Sequence, residues 1–202
     1  MLQNRITAEP GPPAFSEDVA PQPRYASLAT LADDPAGLTC SVTVGLEWAP
    51  GNAAQVLGYP SYELAAETVK SGRHDALLVA SAYQEIRLFF FDTELRATDA
   101  FVRPLPDMVF AVPSQSVAAE HFDDIHYHPA TKKLLESCVH DRTTNAVTAT
   151  SNSAACRDAM SNPGAAAVIT NQTCADHYGL KTLEVLALGK PMGFILFERC
   201  AT

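Results

Sequence analysis

Hydroxyls and one amide recur in this chain at one kind of place, the junction where an apolar run stops and a helix-forming segment starts. Thr150-Ser151 precede Asn152-Ser153-Ala154-Ala155, and Thr170-Asn171 close the apolar run Ala165-Ala166-Ala167-Val168-Ile169. Thr39 and Ser41 open a segment that reads as a helix through Trp48, and Ser81 and Tyr83 follow the run Asp75 to Ala80. A helix N-terminus presents unpaired N–H groups and a partial positive charge, and neighbouring hydroxyls add donors, so such junctions suit a small carboxylate. In open α/β sheets ligands sit at the carboxyl ends of the strands. Each residue also has a plain structural reading. Thr, Ser and Asn are preferred N-caps, and Tyr83 reads equally as a half-buried aromatic.

The elements that must position these groups follow from pattern. Residues 25–31 read as a strand and residues 55–58 as a short one. Ser61 caps a helix from Tyr62 to Lys70, with Leu64, Ala65 and Val69 on one face and Gly72 after its end. Asp75 to Ala80 is a continuous apolar run, as expected of a buried parallel strand. Ile86 to Phe91, Phe101-Val102 and Met108 to Val112 read as strands. Ile125 to Tyr127 leads to His128-Pro129 and a helix from about Pro129 to Cys138. Strands at 144–149, 165–170, 182–186 and 192–198 alternate with helices at 152–160 and 171–178. Strand–helix alternation predicts an α/β fold with mainly parallel pairing. It falls in two blocks joined near 103–107 and 185–190, which predicts two lobes with a cleft between them: lobe 1 from 25–104 plus 185–202, lobe 2 from 105–184. Residues 1–24, punctuated by five prolines, read as an extended arm.

Composition narrows the function classes. The chain has 202 residues, 47% of them hydrophobic, enough for one sizeable domain or two small lobes. Fourteen Lys and Arg stand against 23 Asp and Glu, for a net charge of -9. That balance argues against nucleic acid and anionic membranes as partners. It leaves room for a small anion held by helix N-termini. The five cysteines have no CxxC or zinc spacing and read as reduced, buried thiols in a cytoplasmic protein. His126 and His128 form a His-x-His pair without an evident third ligand, so no metal is expected. The chain has no Gly-x-Ser-x-Gly elbow, phosphate loop or dinucleotide fingerprint.

The order of these pieces resembles the prephenate dehydratase family over roughly residues 26–198. Pro35-Ala36-Gly37-Leu38-Thr39-Cys40-Ser41, after a strand, resembles the family's Gly-Pro-x-Gly-Thr opening and Ser-containing helix start. Val79-Ala80-Ser81-Ala82-Tyr83 resembles the Val-Pro-His-Ala-Tyr of the family's bacilysin-pathway decarboxylase branch, with Ser81 in place of His. Tyr127-His128-Pro129 resembles its Ser-His-Pro. Thr150-Ser151 with Ala154-Ala155 resembles its Ser-Thr with Ala-Ala. Thr170-Asn171 and Tyr178-Gly179-Leu180 match the decarboxylase pattern. Where dehydratases carry Thr-Arg-Phe, this chain has Gly193-Phe194-Ile195, within Pro191-Met192-Gly193-Phe194-Ile195-Leu196-Phe197, again like the decarboxylase branch.

The resemblance implies a two-lobed fold like type II periplasmic binding proteins, without the regulatory phenylalanine-binding domain. It implies a cofactor-free lyase of the prephenate decarboxylase type, acting on prephenate or a related cyclic unsaturated acid in specialised, antibiotic-type metabolism. Ser81, Tyr83, Thr150 and Ser151 are then the catalytic candidates. Thr39, Ser41, Asn171, Met192 and Phe194 are the substrate-binding candidates, Phe194 as an apolar wall. Family precedent implies a homodimer. Two other readings stay open: a lyase or dehydratase on a tropone-type intermediate, and a non-catalytic module that binds a small aromatic acid.

Overall fold

The computed structural model describes residues 23–32, 38–116, 119, 121–138, 143–164 and 166–200. The expected arm lies outside the described residues except for Pro23 and Arg24, as does the turn 33–37.

The first half of the chain builds β1 (Leu28–Leu31), α1 (Cys40–Trp48), β2 (Val56–Tyr59), α2 (Tyr62–Lys70), β3 (Ala76–Ala80), α3 (Arg87–Phe90) and β4 (Leu95–Pro104). The second half builds β5 (Met108–Val112), β6 (Phe122–Tyr127), α4 (Lys132–Cys138), β7 (Thr143–Thr148), α5 (Asn152–Ser161), β8 (Ala166–Asn171), α6 (Gln172–His177), β9 (Lys181–Ala187) and β10 (Pro191–Arg199). Local chemistry sets most boundaries. In α2 the Ser61 hydroxyl accepts the Leu64 N–H at 3.2 Å, and Gly72, at φ +74°, carries the chain out of the helix in a conformation that costs a Cβ-bearing residue. Its buried face is Tyr62, Ala65, Ala66, Thr68 and Val69, whereas Leu64, expected on the same face as Ala65 and Val69, is exposed.

Two five-stranded sheets result, ordered β2-β1-β3-β10-β4 and β7-β6-β8-β5-β9. In the first, Val44 and Trp48 of α1 pack with Leu28, Leu78, Phe194 and Leu196 on one face. On the other, α2 and Phe89 of α3 pack with Leu77, Val79 and Phe197. In the second, Ala154, Ala155 and Ala159 of α5 pack with Val109 and Val168, and Leu135 of α4 packs with Ile125 and Ile169 on the opposite face. Each sheet is thus a closed α/β layer with its own core.

The chain crosses between sheets after β4 and again after β9. The two crossing segments are bonded together: the Leu105 N–H donates to the Lys190 carbonyl at 2.9 Å, and the Gly189 N–H to Asp107 Oδ1 at 2.8 Å. They form a short two-stranded hinge.

Two expectations need correction. Ile86 to Phe91 is not a strand but contains helix α3. Ile86 and Phe89 face the core while Leu88 and Phe91 are exposed. Inward residues three apart obey the helical period, which six apolar-rich residues do not separate from strand alternation. The pairing is also mixed rather than mainly parallel. β1 pairs parallel with β2 and β3, and β6 with β7 and β8. β10 runs antiparallel to β3 and β4, and β5 to β8 and β9, because these strands enter each sheet from the hinge.

Candidate functional site

The parallel strands direct the candidate residues to one edge of each sheet. Thr39 follows the carboxyl end of β1, and Ser81 that of β3 beside it. Thr150-Ser151 follow β7, and Asn171 ends β8. The two edges face each other. Leu38, just before α1, packs against the α5–α6 core of the other lobe, and its carbonyl accepts from Cys174 Sγ at 3.2 Å.

Most hydroxyls at these junctions are already bonded. Thr39 caps α1, accepting the Val42 N–H at 3.3 Å while its own O–H donates to the Leu31 carbonyl. Ser41 is buried and shares a hydrogen bond with the Tyr62 hydroxyl, which also accepts the Ala80 N–H at 3.2 Å. Ser41 thus joins α1 to α2 inside the first lobe. Ser151 caps α5 through the Ala154 N–H at 2.9 Å and is buried, whereas Thr150 beside it is exposed. Asn171 caps α6, its Oδ1 accepting the Cys174 N–H at 2.7 Å.

Ser81 is exposed at the end of β3. Its N–H donates to the Gly193 carbonyl at 2.8 Å and its hydroxyl to Met192 Sδ at 3.6 Å. A Cβ built on Gly193 would lie 2.9 Å from Ser81 Oγ, so these two strand ends meet where only glycine fits without a shift. Tyr83 turns back to α2, where its hydroxyl donates to Glu63 and its ring lies 4.8 Å from that of Tyr62. Burial and then the Glu63 carboxylate push the Tyr83 hydroxyl well above the usual tyrosine range. Burial opposes the charge on Glu63, but the bond from Tyr83 and its backbone contacts hold that carboxyl below its ordinary value. Phe194 has no exposed surface. Its ring stacks on Phe101 at 5.8 Å within the core under α1, so it supports the sheet rather than walls the cleft.

The structure brings together a group that sequence reasoning passed over. Cys40 is the first residue of α1, and its sulfur meets both opposing helix starts. Asn171 Nδ2 lies 3.5 Å from Cys40 Sγ, and Asn152 Nδ2 lies 3.8 Å from it. Asn152 opens α5, and its Oδ1 is buried without a hydrogen-bond partner. Burial raises the Cys40 thiol to about 11, partly offset by the bond from Asn171, so it is protonated at neutral pH. The available signal was position: a thiol directly after an N-cap sits at the positive end of a helix. Reading Cys40 as a small hydrophobe hid it.

His128 caps the turn 129–131, its Nδ1 accepting the Ala130 N–H at 3.3 Å, while His126 is buried in β6. Among the described residues, no three His, Cys, Asp or Glu side chains are grouped to hold a metal ion. Among them, too, no helix is long and apolar enough to cross a membrane.

Two lobes, mixed sheets joined by a double crossing and helix starts facing across a cleft define a two-lobed α/β binding-protein architecture. The same fold occurs in the prephenate dehydratase of Arthrobacter aurescens, solved with L-Phe, at a TM-score of 0.64 and 16% identity, covering 87% of this chain and 61% of that one. It occurs in GqqA, a quorum-quenching acylase of a novel type, at 0.65 and 14% identity, covering 87% and 65%. It also occurs in a periplasmic substrate-binding protein of an ABC transporter from Coxiella burnetii, at 0.53 and 12% identity, covering 86% and 84%. The chain therefore spans less than two thirds of the dehydratase and of the acylase. No protein-family model and no curated protein matches the sequence. The likeness is one of fold: a prephenate-dehydratase-like, two-lobed α/β domain.

Proposed function

We propose that the cleft binds prephenate or a related cyclic unsaturated carboxylate, and that the chain is a cofactor-free lyase that decarboxylates it. The observation that carries this reading is the convergence of the α1, α5 and α6 starts on Cys40 Sγ. Three helix N-termini turned to one point favour a carboxylate there. On this reading Thr150, exposed at the start of α5, and the Asn152 amide offer polar contacts to the carboxylate, Ser81 and Met192 remain candidates at the end of β3, and Thr39, Ser151 and Asn171 fix the helix starts.

In the reaction the bond to the departing carboxylate breaks. Its electron pair moves into the ring diene, a ring carbon takes a proton, and CO2 leaves with the hydroxyl retained. A dry site favours loss of the carboxylate's charge, and a neutral thiol can deliver the proton. Cys40 is the protonated acid at the convergence. Gly193 and the buried Phe194 stand where dehydratases carry the Thr-Arg associated with dehydration, which agrees with retention of the hydroxyl. The protein is taken as cytoplasmic from its reduced, unpatterned cysteines, and as homodimeric on the same resemblance.

A second reading, a domain that binds a small aromatic acid without turning it over, is favoured by one observation: Thr39, Ser41, Ser151 and Asn171 all have structural bonds. Incubation with prephenate, with assays for CO2 and phenylpyruvate, separates the two. CO2 without phenylpyruvate supports the lyase. Calorimetric binding of prephenate without product supports the binding domain. Neither binding nor product removes the lyase, and a titration with phenylpyruvate that also shows no binding removes the binding domain.

A further inference from the structure

β4 bonds to β10 along one edge, and its other edge pairs with no strand among the described residues. Which of its backbone groups face outward follows from the ladder. The Gly193 carbonyl accepts the Ser81 N–H, so Gly193 faces β3, and the next residue, Phe194, faces β4. Backbone groups alternate in direction along a strand. Phe101, opposite Phe194, therefore points its N–H and carbonyl at β10, and Ala100 and Val102 point theirs away from the sheet.

Two charged side chains occupy these outward groups. Asp99 Oδ1 accepts the Ala100 N–H at 2.8 Å, and Arg103 Nη1 donates to the Val102 carbonyl at 3.1 Å. Asp99, Phe101 and Arg103 share one face of the strand, and the Arg103 guanidinium stands 5.4 Å from the centre of the Phe101 ring. Arg24 also lies 3.6 Å from Asp99 Oδ2, an ion pair open to water and so worth little. Charged side chains commonly block a sheet edge. Here the block is self-complementary, because opposite charges stand symmetrically about Phe101 and a two-fold axis through it sets each against the other. The ladder with β10 is regular from Asp99 to Pro104 and shifts between Leu196 and Phe197, so the regular segment begins at Asp99.

We propose that the free edge of β4 docks a second copy of this chain, the two β4 strands pairing antiparallel about a two-fold axis through Phe101. In that register Ala100 stands opposite the partner's Val102, and the two exchange both N–H···O bonds. Asp99 releases the Ala100 N–H and meets the partner's Arg103, while Arg103 releases the Val102 carbonyl and meets the partner's Asp99. Both charges then sit at non-hydrogen-bonded positions, where facing side chains come closest. An axis moved two residues either way sets Asp99 or Arg103 against its own copy, so charge selects the register. Pairing also covers Val102, which is 60% exposed in the single chain. The inference rests on the homodimer proposed above and gives it a surface; it does not depend on which acid the cleft binds.

The test is analytical ultracentrifugation of the full chain, which should sediment as a dimer. Asp99→Arg alone, or Arg103→Asp alone, sets like charges opposite each other at both ends of the ladder. Each should weaken the dimer at least about tenfold. The double exchange, Asp99→Arg with Arg103→Asp, should restore it. The two single variants, mixed, should form a heterodimer, because one then presents only positive and the other only negative groups at the facing positions. Hydrogen exchange gives a reading without any variant: the Ala100 and Val102 amides should be protected in the wild-type dimer and fast at dilutions where it dissociates. A monomeric wild type overturns this inference together with the homodimer. A dimer that the charge variants leave unchanged, or in which both amides exchange fast, overturns the β4 interface alone. A wild-type monomer that dimerises once residues 1–22 are removed would give the edge to that segment and overturn the proposal.

Discussion

Asn171 binds Cys40 with one end of its side chain and its own helix with the other. Its Oδ1 accepts the Cys174 N–H at 2.7 Å, and its Nδ2 donates to Cys40 Sγ at 3.5 Å across the cleft. Flipping the amide would lose both bonds, so the cap fixes the direction of the donor. The contact with Cys40 is then lost by moving a lobe rather than by rotating a side chain. Asn171, which the sequence offers as either cap or ligand contact, is a cap whose free end points across the cleft.

Thr150 and Ser151 are neighbours with opposite surroundings, and substitution should separate them. Ser151→Ala removes the cap of α5 and should cost about 1 kcal/mol of stability. Thr150 is exposed, so Thr150→Ala should leave the melting temperature unchanged. If Thr150 donates to a bound carboxylate, its loss costs roughly 1.5–3 kcal/mol, or at least about tenfold in affinity. Calorimetric titration of prephenate into both variants measures this. Full affinity in Thr150→Ala would take the start of α5 out of the site.

Cys40→Ala should divide binding from turnover. If the thiol supplies the proton to the ring, CO2 release should fall by about a hundredfold or more, with prephenate still bound. Cys40→Ser keeps a donor of similar size and should recover part of the rate. Full decarboxylation by Cys40→Ala would assign the proton to another group, and parallel loss of binding and rate would make Cys40 a contact residue only.

Much of this architecture was legible in the sequence because local rules and burial agreed. Ser61, the apolar face of α2 and Gly72 all give the same helix. The run Ala166–Asn171 lies between two helices and forms a fully buried strand, as such runs do. Segments failed where the deciding partner is distant. α3 is too short for periodicity to distinguish, and its inward residues are selected by Phe197 and α2. The antiparallel entry of β10 and β5 is set by the hinge, which has no local signature. At the site, the caps were readable as hydroxyls before helices. Cys40 was not, because its significance arises from Asn152 and Asn171, more than a hundred residues away in the chain.

The pair Gly193 and Ser81 gives a prediction about products. Wild-type protein should release no appreciable phenylpyruvate from prephenate. Gly193→Thr should not restore it, because the new Cβ would stand 2.9 Å from Ser81 Oγ. Overpacking of this kind costs on the order of 1–3 kcal/mol, so the variant should melt earlier. Adding Ser81→Gly should recover most of that loss. Phenylpyruvate from the wild type at a rate like that of ordinary dehydratases would refute the assignment, and an unchanged melt in Gly193→Thr would show that Ser81 moves aside freely.

Alkaline titration should reveal how well the centre of the cleft is shielded. Burial raises the Cys40 thiol from 9.0 to about 11. Burial, followed by the hydrogen bond to Glu198, raises Tyr25 from 10.0 to about 12. Between those values the unfolded chain has lost each proton while the folded chain keeps it. The unfolded state then binds fewer protons, and stability must fall as pH rises. Below about pH 9 both states hold the protons and these groups contribute no slope. The loss begins with Cys40 between about pH 9 and 11 and continues with Tyr25 between about 10 and 12. For Cys40 it amounts to roughly 2–3 kcal/mol at most, at about 1.4 kcal/mol for each pKa unit. Denaturant melts from about pH 8 to 12 should show a decline whose first part is shallower in Cys40→Ala, the remainder coming from Cys156, Tyr25, Tyr62 and Tyr83, whose protons the fold also holds above their ordinary values. An identical decline in that variant would mean that the Cys40 sulfur is open to water, and a cleft open enough to hydrate it would be a poor place to strip a carboxylate of its charge.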